Sequence, residues 1–580
     1  MASDAGSPVR YQVDERPPRL LVLGLGLQLA ILSVAGIVLT PAIVIRAGGG
    51  SEQYIVWAVF GAVLVSGITT IVQAVRVGRI GAGYVLLMGT SGAFIAISVT
   101  AVAEGGPALL ATLVVISSLF QFVFAARLTW FRRVLTPSVT GTVIMLIPVT
   151  VLPIIFEMFD KVPEGTHAAA APVCAVATFA IITGISLRAR GVLRLWGPVI
   201  GVVGGSLIAA LFGLYDFDRI AQAGWIGLPD LVWPGFDLGF GPAFWGLMPA
   251  IVLVTLVGAI ETVSDSVAIQ KVSWRRPRAV DFRAVQGAVA ADGVGNLLSG
   301  LVGTVPNTTY STSISVTEMT GVAARSVGVA IGIIFLLLAV FPKGMAVVLA
   351  IPGPVAGAYL TVLLALLFVI GVRIVVNDDL DVRKGVVIGV SFWVGTGFQH
   401  GLIFPELTAD FAGGLLQNGM TAGGLCALLL SLAQTVTLVR PRRIETVLNM
   451  AALHELQAFG RDFARRSGRD DRLAHRLDAA IEETVHLLIE LPGQVPRRLS
   501  LTLRAENSGA VLEFIAAPGE RNLEDLMTVL GEKRADPTDA GEVSLRLLRN
   551  VSSSVRHQQY HDADVVTVRV SGRPGTSGHA

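Results

Sequence analysis

The chain is short of charge and nearly devoid of cysteine, and both shortages narrow what it can be. Only 15% of its 580 residues are charged and only 2 are cysteine. Soluble domains carry about a quarter of their residues charged, so most of this chain is not built to face water. Cys174 and Cys426 both fall in apolar stretches, which argues against a disulfide framework or a zinc site. Positive charge barely exceeds negative: 44 Lys and Arg against 42 Asp and Glu leave a net +2. No nucleic acid or other polyanionic partner is expected from that balance. Met1–Arg19 is polar and of mixed charge, and the apolar run after it is too long for a signal-peptide core, so no cleavable leader is expected.

What the chain has in abundance is apolar length. Hydrophobic residues make up 53% of it, and its mean hydropathy is +0.69. Runs of about 20 residues, enough to cross a bilayer, recur from Leu20 to Leu438. They lie at 20–44, 54–75, 84–103, 107–126, 136–156, 168–187, 192–214, 243–265, 282–302, 306–322, 326–342, 354–376, 384–402 and 420–439. Connecting charges alternate in sign. Arg76 and Arg79, then Arg127, Arg132 and Arg133, then Arg188, Arg190 and Arg194, then Arg275, Arg276 and Arg278 occupy every second connection, and Arg440, Arg442 and Arg443 close the series. Glu104, then Asp160 and Glu164, then Asp216, Asp218, Asp230 and Asp237, then Glu406 and Asp410 occupy the others. The positive-inside rule then puts both termini in the cytoplasm, makes the span number even, and predicts a multi-pass protein of the inner (plasma) membrane.

One of these runs carries acids. Glu261 and Asp265 close the hydrophobic stretch that ends at Ser266. A carboxylate surrounded by hydrocarbon is costly unless paired, hydrated or protonated, so it marks a functional site by default. No arginine shares that span, which weakens the alternative of a structural ion pair. Asp265 is four residues on, hence on the same helical face; it is either a second ligand or an acid facing cytoplasmic water. Further along, Pro306-Asn307-Thr308-Thr309-Tyr310-Ser311-Thr312-Ser313 puts a Pro-broken, hydroxyl-rich segment where another span should run. Hydroxyls in membrane helices often bond their own carbonyls, but a broken helix leaves backbone groups available to a ligand, with positive dipole at its N-terminus. Acid plus broken helix is the pattern of a transporter.

Several segments in order strengthen this reading: Gly26-Leu-Gln28 with Pro41, Met88-Gly-Thr-Ser91, Phe131-Arg-Arg-Val-Leu-Thr-Pro-Ser-Val-Thr-Gly-Thr-Val143, Glu261-Thr262-x-x-Asp265, Ala291-Asp-Gly-Val-Gly-Asn296, Pro306-Asn-Thr-Thr-Tyr310, Thr320-Gly-Val-Ala323 with Arg325, and Pro352-x-Pro-Val355. Over Leu20–Leu438 the chain resembles the nucleobase–ascorbate transporter family of uracil and xanthine permeases. The resemblance implies an all-α polytopic membrane protein of about fourteen transmembrane helices. They would form two inverted seven-span repeats divided into core and gate domains, helices 3 and 10 broken, usually as a homodimer. Substrate would sit between the broken helices near the midplane. Substrate-binding residues implied here are Glu261, Tyr310, Ser311, Thr312 and Ser313, with Ser91, Gly92 and Gln28 as further candidates. Glu261 and Asp265 would couple transport to protons, with sodium an alternative because Asp265, Thr312 and Ser313 all offer oxygen. Gly92 serves equally well in close helix packing, and Gln28 in an interhelical hydrogen bond.

This chain also departs from the family. Ser311, Thr312 and Ser313 stand where it has a small residue, Gln or Glu, then Asn; Gly92 replaces an aromatic, and Leu29 a histidine. A pocket that reads polar edges discriminates strongly, so xanthine or uracil individually is not fixed, and a non-nucleobase solute is the alternative.

From Pro441 to Ala580 the chain is charged and mixed, as in a soluble domain of ordinary size. Residues 445–490 show helical periodicity. The alternating runs Leu499–Arg504 and Val511–Ile515 suggest a hairpin around Glu506-Asn507-Ser508-Gly509. A helix near 542–555 and a strand at Val565–Val570 complete an α/β sandwich. Ala479-Ala-Ile-Glu482-Glu483-Thr-Val and Ser544-Leu-Arg-Leu-Leu-Arg-Asn550 resemble an anti-sigma-factor or histidine-kinase-type ATPase fold. Leu487 stands where that family keeps a metal-binding Asn, and Ala516-Ala-Pro-Gly519 where it keeps Asp-x-Gly, so no nucleotide cofactor and no enzyme activity are expected. The expected layout is a cytoplasmic tail at 1–19, a membrane transporter at 20–440 and a regulatory domain at 441–580 with a cytoplasmic protein partner. The predicted function is proton-coupled symport of a nucleobase or related heterocycle, with no metal site. The alternative is a membrane sensor that keeps the transporter fold and signals through its C-terminal domain.

Overall fold

The computed structural model describes residues 9–131, 136–378, 380–406, 416, 418–437, 442–467, 471–490, 498–506, 509–516, 522–529 and 540–571. Arg132, Arg133, Asp410, Arg440, Asn507, Ser508 and 517–519, all used in the sequence reading, lie outside them. Two compact units emerge: Met1–Arg275 with Ala284–Ser431, and Arg276–Arg283 with Leu432–Ala580.

The first unit is helical; the run 84–103 opens on a strand and Pro342–Leu349 falls almost wholly between two runs, but otherwise its longer helices lie where the apolar runs lie. The helices are α1 (Arg19–Ala47), α2 (Glu52–Val75), α3 (Ile95–Ala126), α4 (Pro137–Asp160), α5 (Ala170–Arg188), α6 (Val192–Leu211), α7 (Pro242–Val272), α8 (Phe282–Val302), α9 (Thr312–Thr320), α10 (Arg325–Ala339), α11 (Pro342–Leu349), α12 (Gly353–Val376), α13 (Val382–Gln399) and α14 (Gly419–Thr437). Among the described residues, 8 helices are long and apolar enough to cross a membrane, or up to 9 if the pair α10 and α11, bent by 87°, counts as one span. Their outward faces carry bare apolar side chains such as Val176, Leu207, Leu211 and Trp393. So much uncovered apolar surface suits lipid and not water.

Local chemistry sets the helix starts. Ser51 caps α2 by accepting from Tyr54 N at 3.2 Å, and Thr136 precedes α4, which opens on Pro137, a position where the missing N–H costs nothing. Helix α3 is two helices in one: Gly106 holds φ 71° and ψ −177° just before Pro107, a conformation only glycine adopts freely. Helix α7 runs to Val272, a further two turns beyond the apolar run that ends at 265, so Asp265 lies within the helix.

Two short strands interrupt the helical order. β1 (Leu87–Thr90) and β2 (Asn307–Tyr310) pair antiparallel, Leu87 opposite Tyr310 and Thr90 opposite Asn307. Each leads into a helix start, so two chain segments far apart in sequence meet with their helix N-termini side by side.

In the second unit, β3 (Arg442–Val447), β4 (Arg498–Glu506), β5 (Gly509–Ala516), β6 (Ser554–Gln559) and β7 (Asp564–Ser571) form one antiparallel sheet in the order β3-β4-β5-β7-β6. Helices α15 (Leu453–Arg466), α16 (Asp471–Glu490), α17 (Leu523–Val529) and α18 (Ala540–Val551) accompany it. Leu456, Phe463, Leu477, Ile481, Leu501, Phe514, Leu548 and Val566 fill the core between the helices and the sheet. The hairpin β4–β5 and the strand β7 match the sequence reading. Two strands do not: the expected helix from 445 opens instead with β3, and the expected helix near 542–555 stops at Val551 so that Ser554 can begin β6. The first correction has a plain cause. Arg442-Arg-Ile-Glu-Thr-Val447 alternates half-buried and exposed positions along a sheet edge, a period of 2 that six residues beside a long helical pattern barely register.

Candidate substrate site

The paired strands and the two helix starts enclose a cavity of about 230 Å³. Its polar wall comes from Thr90, Ser91, Gly92, Glu261, Thr308, Thr309, Tyr310, Ser311 and Thr312. Its apolar wall is the face of α12 that carries Leu363, Leu364, Leu366, Leu367 and Ile370. The volume falls below that of drug-sized pockets and suits one small ring system with a polar edge.

Tyr310 closes one side. Its ring lies across Gly89, where a Cβ would come within 2.6 Å of the ring's Cζ, and its hydroxyl donates to Thr90 O at 2.7 Å. Gly89 therefore has to lack a side chain. Gly89→Ala is expected to push the ring aside, lowering stability by about 1–3 kcal/mol and lowering uptake. The melting temperature of purified protein reads the first effect, and an unchanged value would contradict this packing.

Glu261 faces the cavity from α7 and makes no hydrogen bond or ion pair among the described residues. Asp265, one turn on, is 6% exposed and is fully engaged. Its Oδ1 accepts from Ser311 Oγ at 2.7 Å and its Oδ2 from Thr309 Oγ1 at 2.8 Å. It ties α7 to the junction of β2 and α9 and does not line the cavity. Ser313 Oγ donates to Tyr310 O at 3.0 Å and accepts from Leu87 N at 3.3 Å, so it stitches α9 to β1 from outside the cavity wall. Ser91 Oγ accepts from Ala93 N at 3.3 Å as the cap of the turn that leads into α3. Gln28 is half-buried on α1 and is not part of the wall. The structure thus gathers Glu261, Tyr310, Ser311, Thr312, Ser91 and Gly92 around one cavity and leaves Gln28, Asp265 and Ser313 outside its wall.

Behind the wall lies a polar chain that sequence reasoning did not assign to the site. Asp292 of α8 is 1% exposed; its Oδ2 accepts from Gln121 Nε2 at 2.7 Å and from Thr262 Oγ1 at 2.8 Å. Asn296 Nδ2 donates to Gln121 Oε1 at 2.8 Å, and Asn296 Oδ1 accepts from Asn307 N at 2.8 Å. Asn307 starts β2, so the chain runs from α3 through α8 to the strand that presents Thr308–Tyr310. Gly295 leaves room for it, since a Cβ there would meet Asn307 Oδ1 at 2.5 Å. Asp292 Oδ1 and Asn307 Oδ1 have no partner among the described residues. The available signal was an acid inside the apolar run 282–302, the same signal that drew attention to Glu261.

A family model described as "Permease family" matches residues 21–402. The chain belongs to that family. Xanthine permease XanP of Escherichia coli K12 is 27% identical over 449 residues, covering 74% of this chain and 96% of the relative. A Clostridium perfringens relative with a purine-permease name is 29% identical over 434 residues, covering 73% and 92%. The nucleobase transporter PlUacP of Paenibacillus larvae is 25% identical over 426 residues, covering 72% and 95%. Among solved structures, the transmembrane domain of a cyanobacterium bicarbonate transporter, BicA, aligns with 73% of this chain and 99% of its own length at 17% identity and a TM-score of 0.44, too loose a likeness to support an argument. This permease is therefore a multi-pass membrane transport protein, and enzyme chemistry is not its family's business.

Proposed function

We propose that this permease is a secondary active transporter of a nucleobase or related heterocycle, driven by proton symport, with Glu261 as both substrate ligand and proton carrier. One observation carries the reading: a carboxyl with no partner among the described residues faces a cavity between the N-termini of two interrupted helices. A ring N–H is the group such a carboxylate would accept from, while the backbone at the start of α9 offers positive dipole to a carbonyl. The names of the relatives, xanthine permease and purine permease among them, support the substrate class. Ser311 and Ser313 spend their hydroxyls on Asp265 and the backbone, so Glu261 and Thr312 are left to read the polar edge.

The proposed arrangement has about fourteen spans in two inverted repeats, with both termini in the cytoplasm of a bacterial inner membrane and a homodimeric assembly. The acid-bearing helices and the two strands would form the core domain, and α12 would belong to the gate. Movement of one against the other would expose the cavity to each side in turn. Sodium is the alternative coupling ion.

A second reading, a membrane sensor on the transporter fold, is favoured by the separately compact second unit with its own hydrophobic core. In that version its regulatory domain binds a cytoplasmic protein according to occupancy of the cavity. Radiolabelled xanthine and uracil uptake by cells expressing the full chain, and a chain ending at Thr437, separates the two. Uptake by both is the expected result. Binding without uptake by the full chain would favour the sensor.

A further inference from the structure

The segment before α1 is no loose tail in its described part. Residues Val9–Glu15 lie along the chain that joins α9 to α10. Arg10 N and Tyr11 N both donate to Gly321 O, at 2.7 and 2.9 Å, and in return Ala323 N donates to Tyr11 O at 2.8 Å and Arg325 N to Val13 O at 3.0 Å. Gly321 is the residue that ends α9, at φ 69°. The segment therefore grips the far end of the short helix whose near end forms the cavity wall.

It also grips α7. Arg275, just beyond the end of that helix, donates from Nη1 to Glu15 Oε1 at 2.6 Å and from Nη2 to Glu15 Oε2 at 2.7 Å. The same guanidinium reaches Val9 O at 3.2 Å and Arg10 O at 2.7 Å. A bidentate pair of this kind fixes orientation as well as distance, and Arg275 holds the Glu15 carboxyl below its usual range by hydrogen bonding and charge. Asp14 pairs with Arg325 at 3.2 Å, more exposed and weaker. Between these polar ties Val13 is 1% exposed. It packs in one apolar cluster with Ile269 of α7, Ile314 of α9, Ala288 of α8 and Leu86 at the entry to β1. Two elements of the cavity's polar wall, α7 and α9, thus share one cluster with that side chain, together with the entry to β1.

On the reading of the cavity as the transport site, we infer that Val9–Glu15 is a clamp that holds α7 and α9 in the spacing the site needs. Glu15, Arg275 and Val13 are positioning residues: they touch no substrate and act through Glu261 and Thr312. Among the described residues Glu261 has no direct tie to α9; the hydrogen bonds between α7 and that junction are made by Asp265. Loosening the far ends of both helices would let Glu261 and the α9 N-terminus drift apart, which weakens binding of a ligand that must meet both. A segment that merely aided folding would instead lower the amount of active protein without changing its affinity.

The test uses the full chain with Glu15→Arg, Val13→Asp, the milder Glu15→Gln, and the paired exchange Glu15→Arg with Arg275→Glu. Two measurements are made: hydrogen exchange of the backbone amides of α9 in purified protein, and uptake of radiolabelled xanthine in proteoliposomes. Glu15→Arg and Val13→Asp should strip protection from α9 and raise KM about five-fold, with Vmax held within about two-fold. Glu15→Gln should do the same to a smaller degree, and the paired exchange should recover part of both losses. Unchanged α9 protection in both Glu15 variants would overturn the clamp, as would a fall in Vmax at constant KM. The exchange measurement needs no substrate, so a wild-type protein that takes up no xanthine would leave the clamp to be decided by α9 protection alone.

Discussion

Glu261→Gln is expected to abolish uphill accumulation while leaving the permease folded and inserted. The carboxyl makes no bond inside the protein among the described residues, so its amide isostere breaks none, and removing a desolvated charge from the interior does not destabilise. What disappears is the exchangeable proton. Radiolabelled nucleobase should equilibrate across proteoliposome membranes to a ratio of about 1 and no longer follow an imposed pH gradient. A variant that still concentrates substrate as the wild type does would remove Glu261 from the coupling mechanism.

The second large effect is expected at Asp292, away from the cavity. Asp292→Ala deletes the acceptor for Gln121 Nε2 and Thr262 Oγ1, and each buried donor left unpaired costs about 1–3 kcal/mol. The damage spreads, because Gln121 also holds Asn296 and Asn296 holds the first N–H of β2. Uptake should fall by about 100-fold or more, with a lower melting temperature, since every 1.4 kcal/mol of lost positioning is about tenfold. Asp292→Asn keeps one acceptor and should recover much of the stability. Wild-type uptake by the Ala variant would show that the polar chain has no part in shaping β2.

The helices were legible because membrane spans announce themselves by length and apolarity. The run 354–376 and the helix α12 that carries the apolar wall differ by a residue. Glu261 was legible for the converse reason, as a charge in the wrong solvent. Asp292 carried the same signal, but it sits among glycines in Ala291-Asp-Gly-Val-Gly-Asn296 and reads there as part of a packing motif. Gln121 offered no signal at all: one amide in an apolar helix says nothing about the acid it meets 171 positions away. The hydroxyls after Tyr310 show the limit from the other side. Sequence gathers Ser311, Thr312 and Ser313 into one group, yet α9 begins among them, and that turn aims Ser311 at Asp265 and Ser313 at the backbone. Arg275 read as a topology signal among other arginines, and only the folded chain brings it to Glu15. Periodicity tells which face of an element is apolar; it does not tell which distant segment covers that face.

A structure determined with a nucleobase bound tests the central claim most directly. The account predicts the ring in the cavity between the starts of α3 and α9, flanked by Leu364 and Leu367, with a ring N–H within about 3 Å of the Glu261 carboxyl. A nucleobase held elsewhere, with Glu261 left without any contact to it, would contradict the account.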